Sequence, residues 1–160
     1  SLSAARAELA HIGQTLGFGA ASNIPCADAQ GGVACFEVAP AGWGEVQPTH
    51  GVVVHTNHFV CESLLSVQAP LGLALSSQPR LVTAQQHAAQ NDIDQAALEN
   101  FLRDETDGHW SICRSPDMAL APEGRVESVA GVIMNTTTRQ MWIAPDVPKR
   151  CAFEQVEMPQ

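Results

Sequence analysis

Apolar residues recur at helical spacing over residues 4–16, where Leu9, Ile12 and Leu16 are separated mainly by alanine and small polar positions, and Gly17 follows. This pattern predicts an amphipathic helix ended by glycine. Beyond it the period shortens. Residues 19–23 read as a first strand and 25–32 as a turn-rich stretch. Residues 33–39 read as a second strand, entered from the Gly31-Gly32 pair as a hairpin. Residues 40–50 are expected to loop, carrying Trp43, and 51–55, opened by Gly51 and three valines, to form a third strand. Residues 59–79 look irregular. A helix is expected over 81–90 with Pro79 near its start, where a fixed φ is tolerated. Another is expected over 94–103, with Asp94 as N-cap and Ile93 as a hydrophobic staple. A turn at 107–109 and a loop at 115–124 precede a hairpin that pairs 128–134 with 140–144. The layout is α+β with mainly antiparallel sheets, and residues 1–160 read as a single domain.

Composition narrows the function classes. Hydrophobic residues make up 45% of the 160 and charged residues only 16%, which argues against disorder. The formal net charge is -9 and the eight basic residues are scattered. A phosphate-binding face needs clustered Lys and Arg, so neither nucleic acid nor an anionic membrane surface is an expected partner. No apolar run approaches the roughly 20 residues that span a bilayer. The five cysteines, Cys26, Cys35, Cys61, Cys113 and Cys151, form no CxxC and include no obvious pairing. They read as reduced thiols, Cys35 and Cys113 within apolar segments, in a cytoplasmic protein. The chain opens on Ser1 rather than Met, and its beginning is expected to be processed or cut.

The densest chemistry lies at His55-Thr56-Asn57-His58-Phe59, where an apolar run ends in polar side chains. As a metal site, His55, His58 and Cys61 offer suitable donors. Residues three apart on a strand face opposite ways, however, and no companion motif completes the set. Asn57 carries a neutral, oriented amide suited to an oxyanion hole, and equally suited to capping a loop. Ser1 as an N-terminal nucleophile is disfavoured, because it leads into a helix rather than a buried strand. Arg80 at a helix start is misplaced against the helix dipole, which raises the odds of a specific anionic partner. Arg125 before the last hairpin serves equally well as an edge-strand gatekeeper.

Several segments together resemble the C-terminal half of the acyl-coenzyme A:6-aminopenicillanic acid acyltransferase family, which are autoproteolytic N-terminal-nucleophile (Ntn) hydrolases. They are 19–23 with 27–31 and Glu37, then His55-Thr56-Asn57-His58-Phe59, Ser77-x-x-Arg80, Ser111-Ile112-Cys113-Arg114 and the final hairpin. The resemblance implies part of an αββα sandwich. In it a Cys freed by self-cleavage attacks an amide or thioester carbonyl, with its own α-amine as base. By this resemblance Asn57 matches the oxyanion-hole Asn. Asn23, Asp28, Glu37, His55, Thr56 and His58 line or support the pocket. Arg80 resembles an Arg of bile-salt and penicillin V hydrolases, and Arg125 one that precedes the last hairpin in the fungal acyltransferase. No cofactor and no metal are implied. The implied partners are a small-molecule acyl donor, amide or acyl-CoA-like, and the N-terminal half of the same protein, with a homo-oligomer as a further option. One departure is large: the family nucleophile is a Cys followed by Thr or another small residue at the start of a strand, and none of the five cysteines matches. The expectation is a chain that supplies half an active site and is inactive alone. The competing readings are a non-catalytic binding or self-assembly module, and the metal site at His55, His58 and Cys61.

Overall fold

Helix α1 (Leu2–Thr15) begins where Ser1 turns its hydroxyl back onto the Ala4 amide, 3.5 Å away, and ends where Gly17, at φ +71°, returns its amide to the Ile12 carbonyl. The structure, a computed structural model, describes residues 1–70, 75–89 and 93–157. It resolves into two compact units, Ser1–Gly72 and Leu73–Gln160.

In the first unit α1 lies on a three-stranded antiparallel sheet, in the order β1 (Ser22–Ala27), β2 (Val33–Ala39), β3 (Gly42–Val46). Strand β2 is central and buried on both faces. Ala34, Phe36 and Val38 point to one side, where Leu2, Leu9, Phe18 and Trp43 complete an apolar core. Cys35 and Glu37 point to the other and are also fully buried. Arg6 on α1 clamps Glu45 on β3 through two hydrogen bonds of 2.9 and 2.7 Å. Asp28 organises the β1–β2 turn and the helix start together. Its carboxylate accepts the amides of Leu2 at 3.1 Å, Gln30 at 3.1 Å and Gly32 at 3.0 Å. Those amides hold the Asp28 carboxyl below its usual range.

Four sequence expectations fail here. Strand β1 runs over Ser22–Ala27, into the stretch 25–32 read as turn-rich, rather than over 19–23. Trp43 is not in a loop but on β3, with its ring edge-on to Phe36 at 6.1 Å. Its glycine neighbours mimic a turn, and pairing with β2 overrides them. Residues 51–55 form no ladder strand. His50 and Gly51 both take positive φ, and a tight bridge between Thr49 and Val52 turns the chain away from the sheet. The segment after the bridge is held by side chains instead. A short helix, α2 (Glu62–Leu65), falls in the stretch read as irregular and buries Leu64.

The second unit contains α3 (Ser77–Ala88) and α4 (Gln95–Leu102), the latter capped by Asp94 on the Ala97 amide at 2.8 Å. Helix α3 begins earlier than the sequence pattern implied, with Pro79 in its first turn; Gln90, the expected end, lies outside the described residues. A second antiparallel sheet follows, in the order β4 (Gly131–Asn135), β5 (Gln140–Ala144), β6 (Glu154–Val156). Asn135 closes the hairpin by accepting the Thr137 and Thr138 amides. Strand β4 opens at Gly131 rather than at residue 128, because Ser128 exchanges hydrogen bonds with Arg114 instead: its amide donates to the Arg114 carbonyl at 3.2 Å and its Oγ accepts the Arg114 amide at 3.0 Å. Strand β6 has only three residues, too short for its alternation to register in the sequence.

Candidate active site

Three residues stand in one row across the first sheet. Asn23 on β1 is paired with Glu37 on β2, and Glu37 is paired with Gly44 on β3. Directly opposed residues project to the same face of a sheet. On that face the row meets the loop 55–61, and each member fixes a different part of it.

Glu37 makes the central contact. Its Oε1 lies 2.5 Å from His55 Nε2 and accepts the Val60 amide at 2.7 Å, while Oε2 accepts the Cys61 amide at 3.0 Å. The side chain is fully buried. Burial alone would push its carboxyl up, but the hydrogen bonds from His55, Val60 and Cys61 outweigh that and hold it below the usual carboxylate range. Asn23 meets the other edge of the imidazole. Its Nδ2 contacts His55 Nδ1 and donates to the Thr56 carbonyl at 2.9 Å. Gly44 gives room, because a Cβ there would stand 2.9 Å from Cys61 Cβ. Thr56, itself buried, faces His58 Nδ1 at 3.3 Å, and Gln68 accepts the Phe59 amide at 2.8 Å.

Above this loop opens a pocket of about 340 Å³. Its walls include Asn23, His55, Thr56, Asn57 and His58, with Phe59 and Val67 supplying apolar surface. Asn57 is exposed at the pocket wall, between residues whose positions are fixed from beneath. Neither cysteine near Glu37 has the character of an activated thiolate. Burial, then the Glu37 charge, pushes both Cys35 and Cys61 up to about 11.

The structure therefore brings Asn23, Glu37, His55, Thr56, Asn57 and His58 together. Asp28 sits instead at the hairpin turn under the start of α1. Arg80 and Arg125 belong to the second unit. Arg80, half-buried, donates to Ser76 Oγ at 3.3 Å, and burial and the nearby Arg114 charge pull its guanidinium down. Arg125 is half-buried and donates to the loop carbonyls of Leu120 and Met118. Among the described residues no three His, Cys, Asp or Glu side chains gather as a metal site. Both ring nitrogens of His55 are already engaged. Gln68 and the Val60 and Cys61 amides were not foreseen. The only signal for Gln68 is a single amide side chain within an otherwise apolar Val67-Gln68-Ala69 stretch.

The molecule is thus an α+β protein of helices and two small antiparallel sheets, with an amide- and imidazole-lined pocket over a buried carboxylate. The sequence profile of the acyl-coenzyme A:6-aminopenicillanic acid acyl-transferase family matches residues 6–149, and the chain belongs to that family. A comparison with curated proteins returned no match. Among the described residues no helix is long and apolar enough to cross a membrane.

Proposed function

We propose that this chain forms the oxyanion-hole part of a Cys-dependent Ntn acyltransferase or amidohydrolase, with Asn57 as the oxyanion donor. The observation that carries this reading is the position of Asn57: it lines the pocket on a loop fixed by buried polar contacts rather than by mobile backbone. Such preorganisation is what oxyanion stabilisation requires.

In this reading the nucleophilic Cys comes from sequence upstream of Ser1, since none of the five cysteines opens a strand and is followed by Thr or another small residue, as the family nucleophile is. Its sulfur attacks the acyl carbonyl carbon of an amide or thioester, and its proton passes to the nucleophile's α-amine. The carbonyl oxygen takes up the electron pair and is held by the Asn57 Nδ2–H. Collapse of the tetrahedral adduct re-forms the carbonyl and expels an amine, protonated by the α-ammonium, or a thiolate. The acyl-enzyme then passes its acyl group to an amine or to water. The partners are a small-molecule acyl donor and the upstream half of the same protein, and Phe59 and Val67 favour an acyl group with apolar character.

The test is expression of the chain joined to its upstream sequence, with acyl transfer and amide hydrolysis assayed in parallel. Asn57→Ala should lower kcat by about 10²–10³ in an enzyme that still folds. Full activity in Asn57→Ala would remove the oxyanion assignment.

A further inference from the structure

The contacts around His55 have a direction. Glu37 is ionised and can only accept, so the hydrogen on that side belongs to His55 Nε2. Asn23 presents one side-chain atom to both the Thr56 carbonyl and His55 Nδ1. A carbonyl also only accepts, so the Asn23 atom facing it is the amide nitrogen, and its second hydrogen points at Nδ1. His55 Nδ1 must therefore be the acceptor. Only the Nε2–H tautomer of the neutral imidazole satisfies every partner at once. Rotating the Asn23 amide would set two oxygens against each other at Thr56, so the arrangement has no equivalent alternative.

This chain of bonds begins at the Thr56 carbonyl, which belongs to the peptide joining Thr56 to Asn57. It runs through Asn23 and His55 to Glu37, which then returns to the loop at the Val60 and Cys61 amides. The loop on either side of Asn57 is thus held by one connected set of side chains. That set is anchored on a directly opposed strand pair, Asn23 and Glu37. Residues 53–60 lie in no named strand, so no sheet ladder performs the same task.

We infer that Asn23, His55 and Glu37 are positioning residues that act as one directional relay, with His55 locked as the Nε2–H tautomer, to aim the Asn57 amide. The inference rests on Asn57 as the oxyanion donor, but the tautomer and the loop clamp are measurable without any activity. A merely structural Glu37 would affect melting and nothing else. A relay also fixes which imidazole nitrogen carries the proton, and it raises kcat without raising affinity. A misaim of about 1 Å is enough to cost up to about 10²-fold in rate.

The experiment uses ¹⁵N-histidine-labelled chain for the tautomer, amide hydrogen exchange for the loop, and steady-state kinetics on the chain joined to its upstream sequence. The wild type should show a bare Nδ1 and a protonated Nε2. Asn23→Ala, at an exposed site on an edge strand and so the variant most certain to fold, should give mixed tautomers. It should keep protection at Val60 and Cys61, and lower kcat about 10-fold or more with KM little changed. Glu37→Gln should speed exchange at both amides. A proton on Nδ1 in the wild type, or an Asn23→Ala enzyme with kcat within about twofold of wild type, would overturn the relay. Loss of the oxyanion reading appears separately, as an active Asn57→Ala enzyme whose His55 tautomer is unchanged.

Discussion

Glu37 Oε1 stands 2.5 Å from His55 Nε2 and also accepts the Val60 amide, so one buried oxygen joins the imidazole of the pocket loop to the backbone five residues further on. A carboxylate removed from water in this way is costly unless all its lone pairs are used. Here the second oxygen takes the Cys61 amide. The position behaves as a buried junction, and its removal leaves three donors without a partner.

Glu37→Ala should therefore destabilise the chain by about 3–5 kcal/mol, and Glu37→Gln, which keeps one acceptor oxygen, by about 1–3 kcal/mol. Urea unfolding gives the measurement, read as a shift of the midpoint at constant slope. A Glu37→Ala midpoint equal to that of the wild type would show that water replaces the carboxylate without loss.

The same contacts set an acid dependence. The folded-state pKa of Glu37 lies below its ordinary 4.5, so folding favours the ionised form. Its contribution is complete above the ordinary value and is lost as pH falls through the lower, folded value. Asp28, lowered from 3.8 by the Leu2 and Gly32 amides, acts with the same sign at the helix start. Unfolding free energy should thus fall below about pH 4.5. The gap between wild type and Glu37→Gln should narrow over the same range, and a gap that stays constant down to pH 2 would contradict the assignment.

Thiol reactivity offers an independent view of the Glu37 side of the sheet. With Cys35 and Cys61 both pushed up to about 11, roughly one molecule in a thousand carries either thiolate at pH 8. Iodoacetamide at that pH should leave both unmodified in the native chain and label them once it is unfolded, as read by peptide mass spectrometry. Glu37→Gln removes the neighbouring negative charge and should accelerate labelling of Cys61. Rapid labelling of Cys61 in the native wild type would place it in a different environment.

The sequence made some of this readable and concealed the rest for identifiable reasons. Helix α1, the hairpin into β2, α4 with its Asp94 cap and the β4–β5 hairpin follow from periodicity and turn chemistry, which are local. The resemblance singled out His55, Thr56 and Asn57, and these three residues line the pocket. Trp43 was hidden because Gly42 and Gly44 read as a turn, while the smallness of Gly44 in fact serves the approach of the Cys61 segment. The run at 51–55 was misleading because three valines carry a strand signal that the positive φ of His50 and Gly51 cancels. Glu37 alternates with apolar neighbours in a strand pattern, so its burial on a second covered face depends on residues 18 to 24 positions away.

Gly44 provides the sharpest test of that packing. A Cβ at this position would lie 2.9 Å from Cys61 Cβ, 3.0 Å from its Sγ and 3.0 Å from Ser63 Oγ. Two of these atoms are side-chain tips, but Cys61 Cβ is fixed to a backbone whose amide is held by Glu37. Gly44→Ala should therefore push the Cys61 segment off the carboxylate, at a cost of about 1–3 kcal/mol, and expose the Cys61 amide to hydrogen exchange. Adding Cys61→Ala should rescue little, because the Cβ contact persists. Adding Cys61→Gly removes that contact and should restore amide protection to Val60, even though a flexible glycine has its own entropic cost. Equal rescue by the two second-site changes would show that the sulfur, not the closeness of the backbones, sets the limit at this crossing.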